Sequence, residues 1–187
     1  MRTKDLAYIA LFAAITAVLG LVPALQVGPV PVTAQTLGVM LAGSVLGARR
    51  GFLSQLLFLA LVAVGLPVLP GGGGGLAVFA GPTAGYLISW PIAAFVIGLL
   101  TERVWDRYNV AWGVLANVLG GIVVVYAIGV PVLKAVAGLP WTDALWFGAG
   151  VFIPGDLVKA VIAAVIAAQV RRSYPVIERP RRAVPAR

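Results

Sequence analysis

The chain of 187 residues contains no cysteine and no histidine. Without cysteine no disulfide framework can form. Without either residue, zinc sites of the usual ligand types and acid–base catalysis by imidazole are excluded. Charge is also scarce, since Asp, Glu, Lys and Arg make up 11% of the residues, where a soluble domain carries about a quarter. Apolar residues instead supply 61% of the chain. This composition predicts an integral membrane protein with a handful of spans of about 20 residues each. No long polar block is present to form a second domain. The net charge of +8 falls in short clusters between apolar runs, as membrane orientation requires, and does not point to nucleic acid.

Six spans fit the hydropathy: 6–24, 33–46, 52–66, 83–100, 110–132, and a last one that begins at Trp146 or Pro154 and ends at 170. The first reads as a retained signal anchor. The second and third are short for a bilayer, which is met by little tilt, by thinning of the bilayer or by shielding from their neighbours. With the N-terminus inside, the inner turns hold Arg2, Lys4, Arg49, Arg50, Arg103, Arg107, Arg171 and Arg172, while the outer loops hold only Lys134 and Asp143. The positive-inside rule then puts both termini in the cytoplasm. Residues 1–170 form the expected membrane domain. The basic stretch 171–187, with Pro175, Pro180 and Pro185, is expected to be disordered and to lie on anionic membrane lipid. No internal repeat divides the spans into halves, which argues against an inverted-repeat transporter.

The sharpest chemical signal is Asp156 with Lys159, in Pro154-Gly155-Asp156-Leu157-Val158-Lys159. Spaced i, i+3, they share a helix face. Ionisable groups within a span face a cavity or a partner, so the pair is either a ligand site or a packing salt bridge. Together they accept N–H donors and donate to a carbonyl or carboxylate, which suits a small polar solute. The glycines at 71–75 are followed by no Gly-Lys-Ser/Thr, so they form no P-loop. They make either a flexible connector or a backbone that approaches a ligand. Tyr86 is an interfacial anchor or a ligand wall, and Asn117, inside the fifth span, is helix glue or a ligand contact. In the first span Ala10 with Ala14, and Ala13 with Ala17, carry the spacing that lets another helix approach closely.

Taken in order, several segments resemble the BioY family, the biotin-specific S components of energy-coupling factor (ECF) transporters. They are Gly28-Pro29-Val30-Pro31-Val32-Thr33-Ala34-Gln35-Thr36, Leu46-Gly47-Ala48-Arg49-Arg50-Gly51, Gly65-Leu66-Pro67-Val68 with the glycine run, Gly81-Pro82-Thr83-Ala84-Gly85-Tyr86-Leu87, and the Asp156 segment. The resemblance spans residues 6–170. It implies an all-α bundle of six transmembrane helices in the cytoplasmic membrane, with biotin bound near the outer face. It also implies partnership with a transmembrane coupling subunit and ABC-type ATPases. The first loop would close over the site and the loop between spans three and four would border it. Thr33, Gln35 and Gly73 thereby join Asp156, Lys159, Tyr86 and Asn117 as substrate-binding candidates. An Ala-x-x-x-Ala face on the first span would dock the coupling subunit, with Ala10 and Ala14 preferred and the register open. No cofactor is implied.

Two other readings compete. A stand-alone secondary transporter would use Asp156 as a proton site. An intramembrane enzyme would need a nucleophile–base constellation, and the residues supply none.

Overall fold

The computed structural model describes residues 2–174, 176 and 177. The chain forms a bundle of six helices. These are α1 (Thr3–Leu19), α2 (Gln35–Leu46), α3 (Ala48–Ala63), α4 (Ala84–Arg103), α5 (Val110–Ala137) and α6 (Trp141–Ser173). A two-stranded antiparallel hairpin, β1 (Leu25–Val27) and β2 (Val30–Val32), joins α1 to α2. The last three helices are each long and apolar enough to cross a membrane. The first three are shorter, at 17, 12 and 16 residues.

Of the three answers to its shortness, α2 takes shielding. Ten of its residues, from Gln35 to Leu46, are buried, as expected of a helix that is apolar or small all round. It packs against α1, α3, α4 and α6. Close approach depends on glycine: a Cβ on Gly38 would lie 3.0 Å from the Thr16 Cα of α1, and one on Gly43 would lie 2.7 Å from the Ala94 carbonyl oxygen of α4. The break between α2 and α3 falls at Gly47, whose φ of +84° few side chains tolerate. Glu102 of α4 closes that break by accepting the Ala48 backbone N–H at 2.8 Å, which satisfies a donor at the start of α3.

Several boundaries move from their predicted places. Helix α1 stops at Leu19 rather than 24, because the chain turns into the hairpin. The hairpin itself is absent from the all-helical reading. Its turn places Gly28 at φ +77°, the first central position where a two-residue hairpin favours glycine. The two predicted starts of the last span both correspond to features: α6 begins at Trp141, contains a π-helical stretch at Trp146–Gly150, and resumes at Ile153 after a turn. It runs on to Ser173, past the expected boundary at 170. The disorder expected of the tail concerns residues that lie, from 178 onward, outside those described.

The bundle has two chemically different ends. At one, Arg2, Asp5, Arg49, Arg50 and Glu102 surround a polar recess, and Arg171 of α6 donates to the Tyr108 and Asp106 carbonyls. The other end carries the hairpin, the glycine-rich loop and the start of α2. The glycine-rich loop is built rather than slack. Leu69 N–H bonds the Gly73 carbonyl at 3.1 Å, and Gly75 N–H bonds the Val62 carbonyl at 2.7 Å. A Cβ on Gly74 would lie 2.4 Å from the Leu66 carbonyl oxygen.

Candidate functional site

A cavity of about 250 Å³ opens at this second end, slightly below the usual range of about 300–1,000 Å³ for small-molecule pockets. Its walls come from the hairpin (Val30, Pro31), the glycine-rich loop (Leu69, Pro70, Gly73, Val78), α4 (Tyr86, Leu87, Trp90), α5 (Val125, Tyr126) and α6 (Phe152, Asp156, Lys159). Gly81 and Thr83 ahead of α4, and Thr33, Gln35 and Thr36 at the entrance to α2, complete it. The lining is mostly apolar, with its charged groups gathered where α2 meets α6.

Asp156 and Lys159 stand at that junction. Pro154 lies in the first turn of the resumed helix, where its missing N–H costs nothing. Asp156 is 1% exposed, and Lys159 Nζ lies 2.8 Å from its Oδ1. The same oxygen accepts from the Thr36 hydroxyl at 3.0 Å, and Oδ2 accepts from the Tyr126 hydroxyl. Lys159 uses its remaining N–H groups on the Thr33 carbonyl at 2.6 Å and the Thr36 hydroxyl at 3.0 Å. All three ammonium protons therefore have acceptors. Further hydrogen bonds of this kind offset part of the cost of taking an ion pair out of water. The cluster ties α2, α5 and α6 together on one side of the cavity.

The other predicted residues divide. Tyr86 lines the cavity and is buried, with its hydroxyl donating to the Gly148 carbonyl of α6 at 2.8 Å. Its ring meets Tyr126 edge-on at 6.5 Å, and the two rings form part of the cavity wall. Thr33 contributes its backbone carbonyl to Lys159. Gly73 lines the cavity from the glycine-rich loop. Gln35 lines it as well, and is pinned by donating to the Thr16 carbonyl at 3.1 Å and the Val68 carbonyl at 3.0 Å.

Asn117 is not among the cavity-lining residues. Its amide accepts from the Ser44 hydroxyl at 3.0 Å and donates to the Ala160 carbonyl at 3.3 Å, joining α5 to α2 and α6. A buried amide surrounded by apolar helices takes whichever polar groups the neighbouring helices offer.

Thr36, Tyr126 and Trp90 are among the cavity residues that escaped the sequence reading. Thr36 closes the motif that contains Thr33 and Gln35. Tyr126 is a tyrosine in the middle of an apolar span, where its hydroxyl needs a partner. Trp90 lies inside the apolar α4, where its indole N–H needs a partner as well. That need was the available signal for both aromatic residues.

On α1 the two alanine registers separate. Ala10 and Ala14 are exposed, whereas Ala13 is 1% exposed and packs in the core. The exposed face continues through Leu11 and Val18.

The comparisons with known proteins agree with one another. A family model described as the BioY family matches residues 1–176. The chain is 52% identical over 184 residues to "Biotin transporter BioY" of Rhizobium etli, covering 95% of this chain and 98% of that one. It is 43% identical over 175 residues to "Probable biotin transporter BioY" of Bacillus subtilis, covering 92% and 93%. Among solved structures it superposes on the S-component for biotin from an ECF-type ABC transporter, with a TM-score of 0.88 and 35% identity, covering 94% of this chain and 97% of that one.

Proposed function

The chain belongs to the BioY family, and from that premise we propose that it is the biotin-capturing S component of an ATP-driven vitamin importer. It is a membrane transport protein and not an enzyme. The observation that carries the reading is the buried Asp156–Lys159 pair at the polar side of an otherwise apolar cavity. Biotin has a ureido ring with two N–H donors and a carbonyl, a carboxylate, and an apolar body between them. Asp156 offers an acceptor to the ureido donors. Lys159 offers a donor to the ureido oxygen or to the carboxylate. The apolar wall takes the bicyclic ring and the valerate chain.

Import then needs a motor, because this chain has no nucleotide-binding motif. The exposed Ala10 and Ala14 favour the first of the two alanine registers as the docking face for a transmembrane coupling subunit, since small side chains let helices approach closely. ABC-type ATPases acting through that subunit would drive release. The gathering of arginines at the end of the bundle opposite the cavity supports an orientation with that end, and both termini, in the cytoplasm and the cavity facing out. The membrane would be the cytoplasmic one.

The test is uptake of radiolabelled biotin by cells expressing this chain with and without a coupling subunit and its ATPases. Uptake that requires the ATPases and survives a protonophore at constant ATP supports the reading. Uptake that collapses with the proton gradient and ignores ATPase loss overturns it in favour of a secondary transporter.

A further inference from the structure

The π-helical stretch of α6 at Trp146–Gly150 supplies no residue to the cavity lining, yet it touches the cavity wall on one side and the hairpin on the other. Wide helical turns of this kind are rare and recur at functional sites. On the inner side the Gly148 carbonyl accepts the Tyr86 hydroxyl at 2.8 Å. A Cβ on Gly148 would lie 2.6 Å from that hydroxyl and 2.8 Å from the Leu133 Cδ2 of α5. Helices α4 and α5 therefore both close on this turn. On the other side the adjacent residue, Phe147, meets the hairpin. A Cβ on Gly28, in the hairpin turn, would lie 2.8 Å from the Phe147 Cδ1. The ring beneath the hairpin is thus mounted next to a buried, tightly packed residue.

The hairpin has little to hold it in place by itself. It has two strands of three residues each, and a lone two-stranded hairpin is marginally stable at best. All of β1 is exposed. In β2, Val30 is buried and lines the cavity together with Pro31. At the base of the hairpin, Lys159 donates to the Thr33 carbonyl at 2.6 Å. At its tip, Gly28 rests on the Phe147 ring. Both supports come from α6. The cavity opens at the end of the bundle that carries the hairpin, so displacing the hairpin removes one wall and with it the barrier that Val30 and Pro31 present to a departing solute.

We propose that Phe147 is a positioning residue for capture: its ring, carried on the π-helical stretch of α6, seats the hairpin tip over the cavity and so sets how slowly a bound solute leaves. The inference rests on the biotin reading for its ligand and adds a residue outside the cavity. Phe147 acts through the hairpin and does not touch the ligand. Loops that cover a site govern release in this way, and changes beside a binding site alter dissociation more than association. The Tyr86–Gly148 bond serves the same end, because it fixes the turn that carries the ring to the cavity wall.

The experiment uses the full chain in lipid nanodiscs. Dissociation is followed by loading radiolabelled biotin and chasing with unlabelled biotin, and hairpin mobility by amide hydrogen exchange over residues 25–32. In Phe147→Ala, biotin leaves about tenfold faster while the association rate constant changes by less than about threefold. Exchange across 25–32 speeds up, and exchange in α4 and α5 does not. Phe147→Tyr keeps the ring and restores both wild-type values. The neighbouring Trp146, 63% exposed, is the control, and Trp146→Ala leaves both unchanged. Should Phe147→Ala fail to fold, Phe147→Leu carries the same test with an expected factor of about three. A folded variant with wild-type dissociation overturns this inference and leaves the biotin reading intact. Faster exchange in the hairpin and the helices alike, with a lower melting temperature and an unchanged dissociation rate, assigns Phe147 to packing and also overturns it. A folded wild type that does not bind biotin overturns the biotin reading, and hairpin exchange unaltered by Phe147→Ala would then overturn this inference separately.

Discussion

Lys159 Nζ is bonded to Asp156 Oδ1 at 2.8 Å across one turn of α6, and both residues bond the same hydroxyl, that of Thr36 on α2. The pair is thus a joint between two helices as well as a charged feature of a cavity wall. A ligand that engages Asp156 or Lys159 must share or replace bonds that hold α2 against α6.

The Tyr126 hydroxyl is the α5 member of this joint. Tyr126→Phe removes a hydrogen bond to a charged acceptor, worth about 1.5–3 kcal/mol. The ligand-free protein is predicted to melt several degrees lower in detergent, with biotin affinity reduced and a ligand-induced stabilisation still present. Unchanged melting of the ligand-free variant would mean that the hydroxyl contributes nothing to the joint.

The two alanine registers of α1 predict opposite phenotypes. Ala14→Trp adds bulk to an exposed face. The variant is expected to fold and bind biotin as the wild type does, but to fail to co-purify with a coupling subunit. Ala13→Trp forces the same bulk into the core, where Ala13 is 1% exposed. Overpacking of that kind costs about 1–3 kcal/mol or more, and the variant should lose thermal stability whether or not a partner is present. Co-purification of Ala14→Trp at wild-type yield would remove this face as the docking surface.

Gly98 of α4 sets the distance to the turn between α2 and α3. A Cβ there would lie 2.3 Å from the Ala48 backbone nitrogen, and the obstacle is main chain, which cannot swing aside. Gly98→Ala is predicted to destabilise by about 1–3 kcal/mol, read as a lower melting temperature. The effect on biotin affinity should be small, since Gly98 is remote from the cavity lining.

The helix count and the Asp156–Lys159 pair were legible because both follow from local rules. Apolar runs mark spans, and an ion pair at i, i+3 shares a helix face wherever the helix goes. The shortness of α2 was legible, though not that its neighbours shelter it. Other features depend on contacts between distant segments. The hairpin at 25–32 is stabilised by its pairing and by Gly28 packing on Phe147, to which an added Cβ would come within 2.8 Å. Nothing in a stretch of seven or eight residues announces that ring. Asn117 and Tyr126 posed the same question, a polar group within an apolar span. The answers differ because Asn117 meets Ser44 and Ala160, while Tyr126 meets Asp156. Only the three-dimensional arrangement tells which partner each one meets.

The most direct measurement is calorimetric titration of biotin into the purified, folded chain, beside Asp156→Asn and Lys159→Met. The wild type is predicted to bind tightly with one site. Each variant should lose at least about a hundredfold in affinity, or roughly 2.7 kcal/mol, while remaining folded by its melting curve. Wild-type affinity in both folded variants would return the pair to a packing role, and a folded wild type that does not bind biotin would contradict the proposed function itself.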